Sequence, residues 1–154
     1  MRKLFDFLCW LTMVSFVACN SGENSSAARE ERTKKDSLLE EVDDGHIQGM
    51  AKMGKLTLAE QTARRMLDSI AKLPAKARTA AEPLRIKLDS LQKELSYAEN
   101  AMEKWMKEFN RDSAINDAQK QIDYLANEKL KVSKVKEAIL NGLQRADSVL
   151  KAKF

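Results

Sequence analysis

The sequence predicts an all-α fold: a long antiparallel helical hairpin with a third helix packed along it, forming a coiled-coil-like three-helix bundle. Three observations carry this reading. The 154 residues include only 5 Gly and 2 Pro, too few turn-formers for a many-stranded protein. Charged residues make up 32% and hydrophobic ones 44%, a balance suited to helices with one wet and one dry face. Apolar residues also recur at alternating steps of three and four over most of the chain. The length fits one domain, and two cysteines cannot build a disulfide scaffold.

The first segment reads as an address. In residues 1–18, Arg2 and Lys3 precede an apolar run from Phe7 that closes on small Ala18, the pattern of a secretory signal peptide. Asp6 stops the run from extending backwards, and a bilayer span needs about 20 apolar residues. Phe16-Val17-Ala18-Cys19 resembles a bacterial lipobox, in which the cysteine takes a diacylglyceryl group on sulfur and, once cleaved, an N-acyl lipid such as palmitate. Cys9 would then leave with the leader, and lipid would block Cys19, removing thiol chemistry altogether. More than one acyl chain gives stable anchoring. Residues 19–28 are expected to form the acylated cysteine and a flexible tether, because Asn20 to Ala28 are small and polar. Asn20, rather than an Asp, follows the cysteine. By analogy with Gram-negative sorting this resembles an outer-membrane address in the cell envelope.

The remaining residues, 29–154, are expected to form the bundle, with helices near 35–73, 83–109 and 113–152. In the first, Leu39, Val42, His46, Gly49, Met53, Leu56, Ala63, Leu67 and Ile70 keep the spacing, with Glu60 a charged interruption. It should end just before Pro74. In the second, Leu84, Leu88, Leu91, Leu95, Ala98, Met102, Trp105 and Phe109 run unbroken, and Pro83 suits the first turn, where its missing N–H is harmless. The third takes Ile115, Ala118, Ile122 and Leu125 into Val132, Val135, Ile139, Leu143, Ala146 and Leu150, with Asp112 or Ser113 as its expected cap. Short connections make neighbours antiparallel. Pairing Leu73 with Leu84 across the turn sets Leu56 against Met102 and Met53 against Trp105.

That register brings two segments together. His46, Met50 and Met53 share one helical face, and Met102, Trp105 and Met106 share another. The plainer expectation is a packing layer in which Gly49 and Gly54 make room for the indole and Phe109 closes the end. The sharper one is a soft-metal site for Cu(I) or Ag(I), because thioether and imidazole suit such ions and an indole can shield them. His46 with Met50, or Met50 and Met53 with Met106, are the feasible ligand sets. Asp43, Asp44 and Gly45 lack the rest of a calcium loop and read as solvated or as a local weakening of the helix.

The two segments, together with the lipobox, resemble small Bacteroidota lipoproteins often labelled "viral A-type inclusion protein". The shared pattern is His46, Met50, Met53-Gly54, then Ala101-Met102 and Trp105-Met106, with Tyr124-Leu125, Lys129 to Lys136 and Ala146 to Leu150 downstream. Ile47-Gln48-Gly49 and Ala51 depart from the Asp-Glu-Val and Pro usual in that pattern. The resemblance implies an envelope address and a helical fold, and it assigns no activity.

No nucleophile–base pattern, phosphate-cradling loop or zinc spacing occurs, so no enzyme is expected. The densest basic stretch, Lys129, Lys131, Lys134 and Lys136, is interrupted by Glu128 and Glu137 and reads as a solvated face rather than a nucleic-acid stripe. The expected role is a non-enzymatic structural or interaction module, held to the membrane by lipid and paired with an envelope protein or with itself as a homo-oligomer.

Overall fold

The computed structural model describes residues 22–151, with side chains from Ser26 onward. It is an all-α helical bundle. Helix α1 runs Gly22–Ala71, α2 is a short helix Ala75–Ala80, α3 runs Glu82–Glu108 and α4 runs Ala118–Leu150. Among the described residues there is no strand, and no helix is long and apolar enough to cross a membrane. The leader, Cys9, Cys19 and Asn20 lie outside the described residues.

Two boundaries differ from the sequence expectation. Helix α1 begins at Gly22, so the segment expected as tether is helical from there on. Ala27, Ala28, Glu30 and Glu31 are good helix formers, and no proline interrupts them. Residues 22–30 fall in a different compact unit from the bundle, which begins at Glu31, and their side chains from Ser26 to Glu30 are exposed. Helix α4 begins later than expected, because residues 111–116 form turns and Ala114 sits at a left-handed φ of 57°. The cap is therefore Asp117, not Asp112 or Ser113, and its Oδ1 accepts from the Lys120 backbone N–H at 3.1 Å. Ile115, expected at the head of the third apolar stripe, lies in these turns and is 61% exposed.

The apolar stripes form the core. Val42, Leu56, Ala63 and Ile70 of α1 pack with Leu88, Leu91, Leu95, Ala98, Met102 and Trp105 of α3 and with Val132, Ile139, Ala146 and Val149 of α4. Glu60 is buried within its stripe, and one of its carboxylate oxygens accepts from Arg64 at 2.7 Å. Contacts between helices fix their directions. Asp43 with Arg111, His46 with Trp105 and Thr57 with Glu99 ascend α1 while descending toward and along α3, so these helices are antiparallel. Helix α4 is antiparallel to α3, as Trp105 with Glu128 and Glu94 with Arg145 show. It runs parallel to α1, through Glu41 with Lys129 and Gln48 with Lys136.

Glycine sets how closely the helices approach. A Cβ on Gly49 would collide with the terminal methyl of Met102, and one on Gly45 would stand 3.0 Å from Val132 Cγ1. A Cβ on Gly142 would stand 3.1 Å from Leu95 Cδ2. Each helix pair thus has a glycine seated under an aliphatic or thioether side chain, exchanging helix propensity for close packing.

The Asp117 cap makes the start of α4 sensitive to acid. The Lys120 backbone N–H, then the Lys120 ammonium, hold the Asp117 carboxyl below its usual range. A carboxyl depressed in the folded state contributes stability above its unfolded value, about 3.9, and loses that contribution as pH falls through the folded value. Protection factors of the amides in residues 118–121, which are corrected for the slower intrinsic exchange in acid, should fall on acidification below about pH 4, ahead of those at the α4 centre. In Asp117→Ala the same amides should exchange fast already at neutral pH.

Candidate functional site

At the end of the bundle where α3 hands over to α4, aromatic rings from all three long helices meet. Met102 and Trp105 of α3 and Phe109, the residue that caps its C-terminal end, carry this layer, since steps of three and four keep side chains on one face. The Trp105 and Phe109 rings stack with centroids 5.0 Å apart and planes inclined by 17°. Phe109 in turn stacks on Tyr124 of α4 at 6.3 Å, and the His46 ring of α1 lies tilted against Trp105 at 5.4 Å. All three separations fall within the range of favourable aromatic pairs.

The polar centre of this layer is Glu128, which sequence reasoning placed on a solvated basic face. It is 3% exposed. The Trp105 indole N–H donates to Glu128 Oε2 at 2.9 Å, and Lys131 Nζ donates to Glu128 Oε1 at 2.7 Å. A buried carboxylate is costly unless its oxygens are satisfied, and here each oxygen has a donor. The Glu128 carboxylate also raises the Lys131 ammonium above its ordinary value. The signal in the sequence was periodicity: Glu128 follows Leu125 by three residues and precedes Val132 by four, so it occupies a core position.

Two surface contacts brace the layer. Arg111 Nη2 donates to both carboxylate oxygens of Asp43, at 2.9 and 2.8 Å, joining the connection to α1. The Asn110 backbone N–H donates to the Tyr124 hydroxyl at 2.8 Å. Asp43 thus serves an ion pair, and α1 continues unbroken through Asp44 and Gly45, with no local weakening. Elsewhere Glu103 pairs with Lys107 at 3.7 Å as its spacing suggests, whereas Glu99 accepts from Thr57 across the hairpin at 2.9 Å.

The register differs from the one obtained by pairing Leu73 with Leu84. His46, not Met53, is the ring set against Trp105, and Gly49, not Leu56, is the α1 residue set under Met102. Both lie seven residues earlier on the same stripe, whereas Thr57 bonds Glu99 within two residues of that pairing, so the difference is confined to the Trp105 end of the hairpin.

The methionines are spread between core and surface. Met102 is fully buried, Met53 packs half-buried against the core, and Met50 and Met106 are 40% and 39% exposed. Gly49 is buried, but Gly54 faces open space and makes no room for the indole. His46 Nε2 is buried with no hydrogen-bond partner among the described residues. No group of three His, Cys, Asp or Glu side chains suited to a metal ion occurs among the described residues. No protein-family model matches the chain, and neither the curated proteins nor the solved structures contain a match.

The hydrogen bond between Trp105 and Glu128 can be measured by a double-variant cycle. Glu128→Leu strands the indole N–H and should cost about 1 to 3 kcal/mol in urea unfolding. In a Trp105→Phe background, where no indole N–H remains, the same change should cost markedly less. Trp105→Ala should cost about 3 to 5 kcal/mol, since the ring is only 6% exposed.

Proposed function

We infer that the chain is a membrane-anchored envelope lipoprotein whose helical bundle is a non-enzymatic interaction or structural module. The observation that carries this is where the molecule offers chemistry. Its inward faces are occupied by packing, while Ile47 and Leu58 of α1, Ile86 and Tyr97 of α3, and Leu130 and Leu140 of α4 are large and exposed on outward faces. Exposed apolar residues flanked by charge suit protein contact. The leader and the lipobox-like Phe16-Val17-Ala18-Cys19 support the anchor, and the resemblance to small Bacteroidota lipoproteins supports the address.

Two experiments test this. Mass spectrometry of the native mature protein should find Cys19 at the N-terminus carrying diacylglyceryl and N-acyl groups. Cys19→Ala should leave the protein unprocessed or released, and an unmodified residue ahead of Cys19 in mature protein would contradict the anchor. Crosslinking in intact cells should capture the bundle with another envelope protein or with itself; turnover of an added substrate with no captured partner would contradict the module.

A second reading is a Cu(I)- or Ag(I)-binding protein using His46, Met50, Met53, Met102, Trp105 and Met106. The observation favouring it is the buried, unpartnered His46 Nε2 one helical turn from Met50 and against Trp105. On this reading Cu(I), titrated with a competing chelator, should quench Trp105 fluorescence with saturation at one equivalent. The quenching should vanish in a folded Met50→Leu, Met106→Leu variant, which keeps volume and removes sulfur. Unchanged fluorescence would dismiss it.

A further inference from the structure

The outward face of α1 carries a pattern that the monomer does not use. Asp36, Glu40, Asp44, Ile47, Ala51, Gly54, Leu58 and Arg65 follow steps of three, four and seven along one stripe, opposite the buried stripe, and all are exposed. Its centre is small or aliphatic, with Ile47 64% and Leu58 58% exposed at either side of Ala51 and Gly54. Its N-terminal half is acidic, and its C-terminal half ends on Arg65. The hollows flanking the face repeat this polarity. One is lined by Asp36, Leu39, Glu40, Asp43, Asp44 and Ile47, while a groove between α1 and α4 combines Leu58 and Leu140 with Lys52, Lys55 and Lys151. Asp147 also lines that groove and pairs with Lys151 at 3.3 Å. Asp43 is engaged by Arg111, but Asp36, Glu40, Lys52 and Lys55 have no ion pair among the described residues.

Gly54 is the independent sign of an approach from outside. Gly45, Gly49 and Gly142 each sit under a side chain of a neighbouring helix, whereas a Cβ on Gly54 would meet nothing within 4 Å. A glycine inside a helix costs roughly 1 kcal/mol relative to alanine, and the packing of a single chain gives no return for it here.

We propose that this face pairs with the same face of a second copy, the two α1 helices running antiparallel about a two-fold axis between Ala51 and Gly54. An antiparallel pairing sets Ala51 of each copy against Gly54 of the other, Ile47 against Leu58, and Glu40 against Arg65. It also sets the acidic hollow, residues 36–47, against residues 58–69 of the other copy, where Arg65 is the cation on this face. A parallel pairing would bring the acidic halves together, which like-charge repulsion opposes. The interface is isologous, so every favourable contact occurs twice. This inference rests on the module reading and names its partner as a second copy of this chain.

The test is sedimentation equilibrium of the purified full chain in a density-matched detergent at low and high salt, with variants chosen to break and rebuild the charge pairing. The expected result is a dimer that weakens as salt rises. Gly54→Leu should weaken it at least about tenfold, because bulk enters the closest approach twice. It should not lower the melting temperature measured at a dilution where the wild type is monomeric. Glu40→Arg and Arg65→Glu should each weaken the dimer about three- to thirtyfold, and the double variant should recover most of that loss. Within one chain these residues are about 37 Å apart along the helix, so recovery reports pairing between copies. A monomer at all concentrations, a dimer indifferent to Gly54→Leu, or a double variant as weak as the singles would overturn the proposal. A monomeric chain that crosslinks to a different envelope protein would overturn self-pairing while leaving the module reading intact; absence of any partner would remove both.

Discussion

The hydrogen bond from the Trp105 indole to the buried Glu128 carboxylate is the constraint around which the bundle is arranged. Hydrophobic stripes on three long helices would tolerate sliding by two turns, since a seven-residue slip returns each stripe to nearly the same orientation. A buried carboxylate does not tolerate it. Lys131 travels with Glu128 on α4, so a slip would strand Oε2, which accepts from the Trp105 indole, without a donor in an apolar layer. That requirement fixes α4 against α3. Helix α1 is then positioned by His46 against Trp105 and by Gly45 and Gly49, which admit Val132 and Met102. Arg111 with Asp43 adds little energy at its exposure, but it ties the α3–α4 connection to the helix it must pass.

The fold class was legible because it depends on periodicity, which needs no partner to be read. Val42, Leu56, Leu88, Leu95, Val132 and Ile139 all fall on stripes visible in the sequence, and all are buried. Pro74 and Pro83 marked the ends that they stereochemically enforce. What failed was whatever depends on a second element. The Leu73–Leu84 pairing holds to within two residues at Thr57 and Glu99 but not at the Trp105 layer, where His46 and the cradle at Gly49 decide what meets. Asp112 and Ser113 are good caps locally, yet the turns through Ala114 carry the chain on to Asp117 before the helix can start. Glu128 was read by its charge when its position in the stripe was the better guide. The meeting of the two segments was legible in the spacing, and so was the exposure of Met50 and Met106, which lie off the apolar stripes.

The four glycines with described surroundings separate the interior of this protein from its exterior. Three are spent on contacts between its own helices, and Gly54 stands on a face whose charges change sign along its length. A helix face that is apolar at its centre and oppositely charged at its two ends carries direction as well as affinity, because it meets a copy of itself favourably only when reversed. The inner layer thus sets the rotation of α1 about its own axis, and that rotation decides which residues are turned outward. A slip by two turns would keep this rotation but displace α1 along α4, separating Leu58, Lys52 and Lys55 from Leu140 and Lys151 in the groove beside the face, so the surface depends on the polar contact inside.

Exchange of the Trp105 indole hydrogen, followed by nitrogen-15 NMR, tests this dependence most directly. If the bond to Glu128 holds the register, the indole N–H should exchange only through global unfolding, with an opening free energy equal to that from urea denaturation and matching the slowest backbone amides of α3 and α4. Exchange within minutes, while those amides remain protected, would show that the layer opens without the bundle and that packing of the stripes alone sets the register.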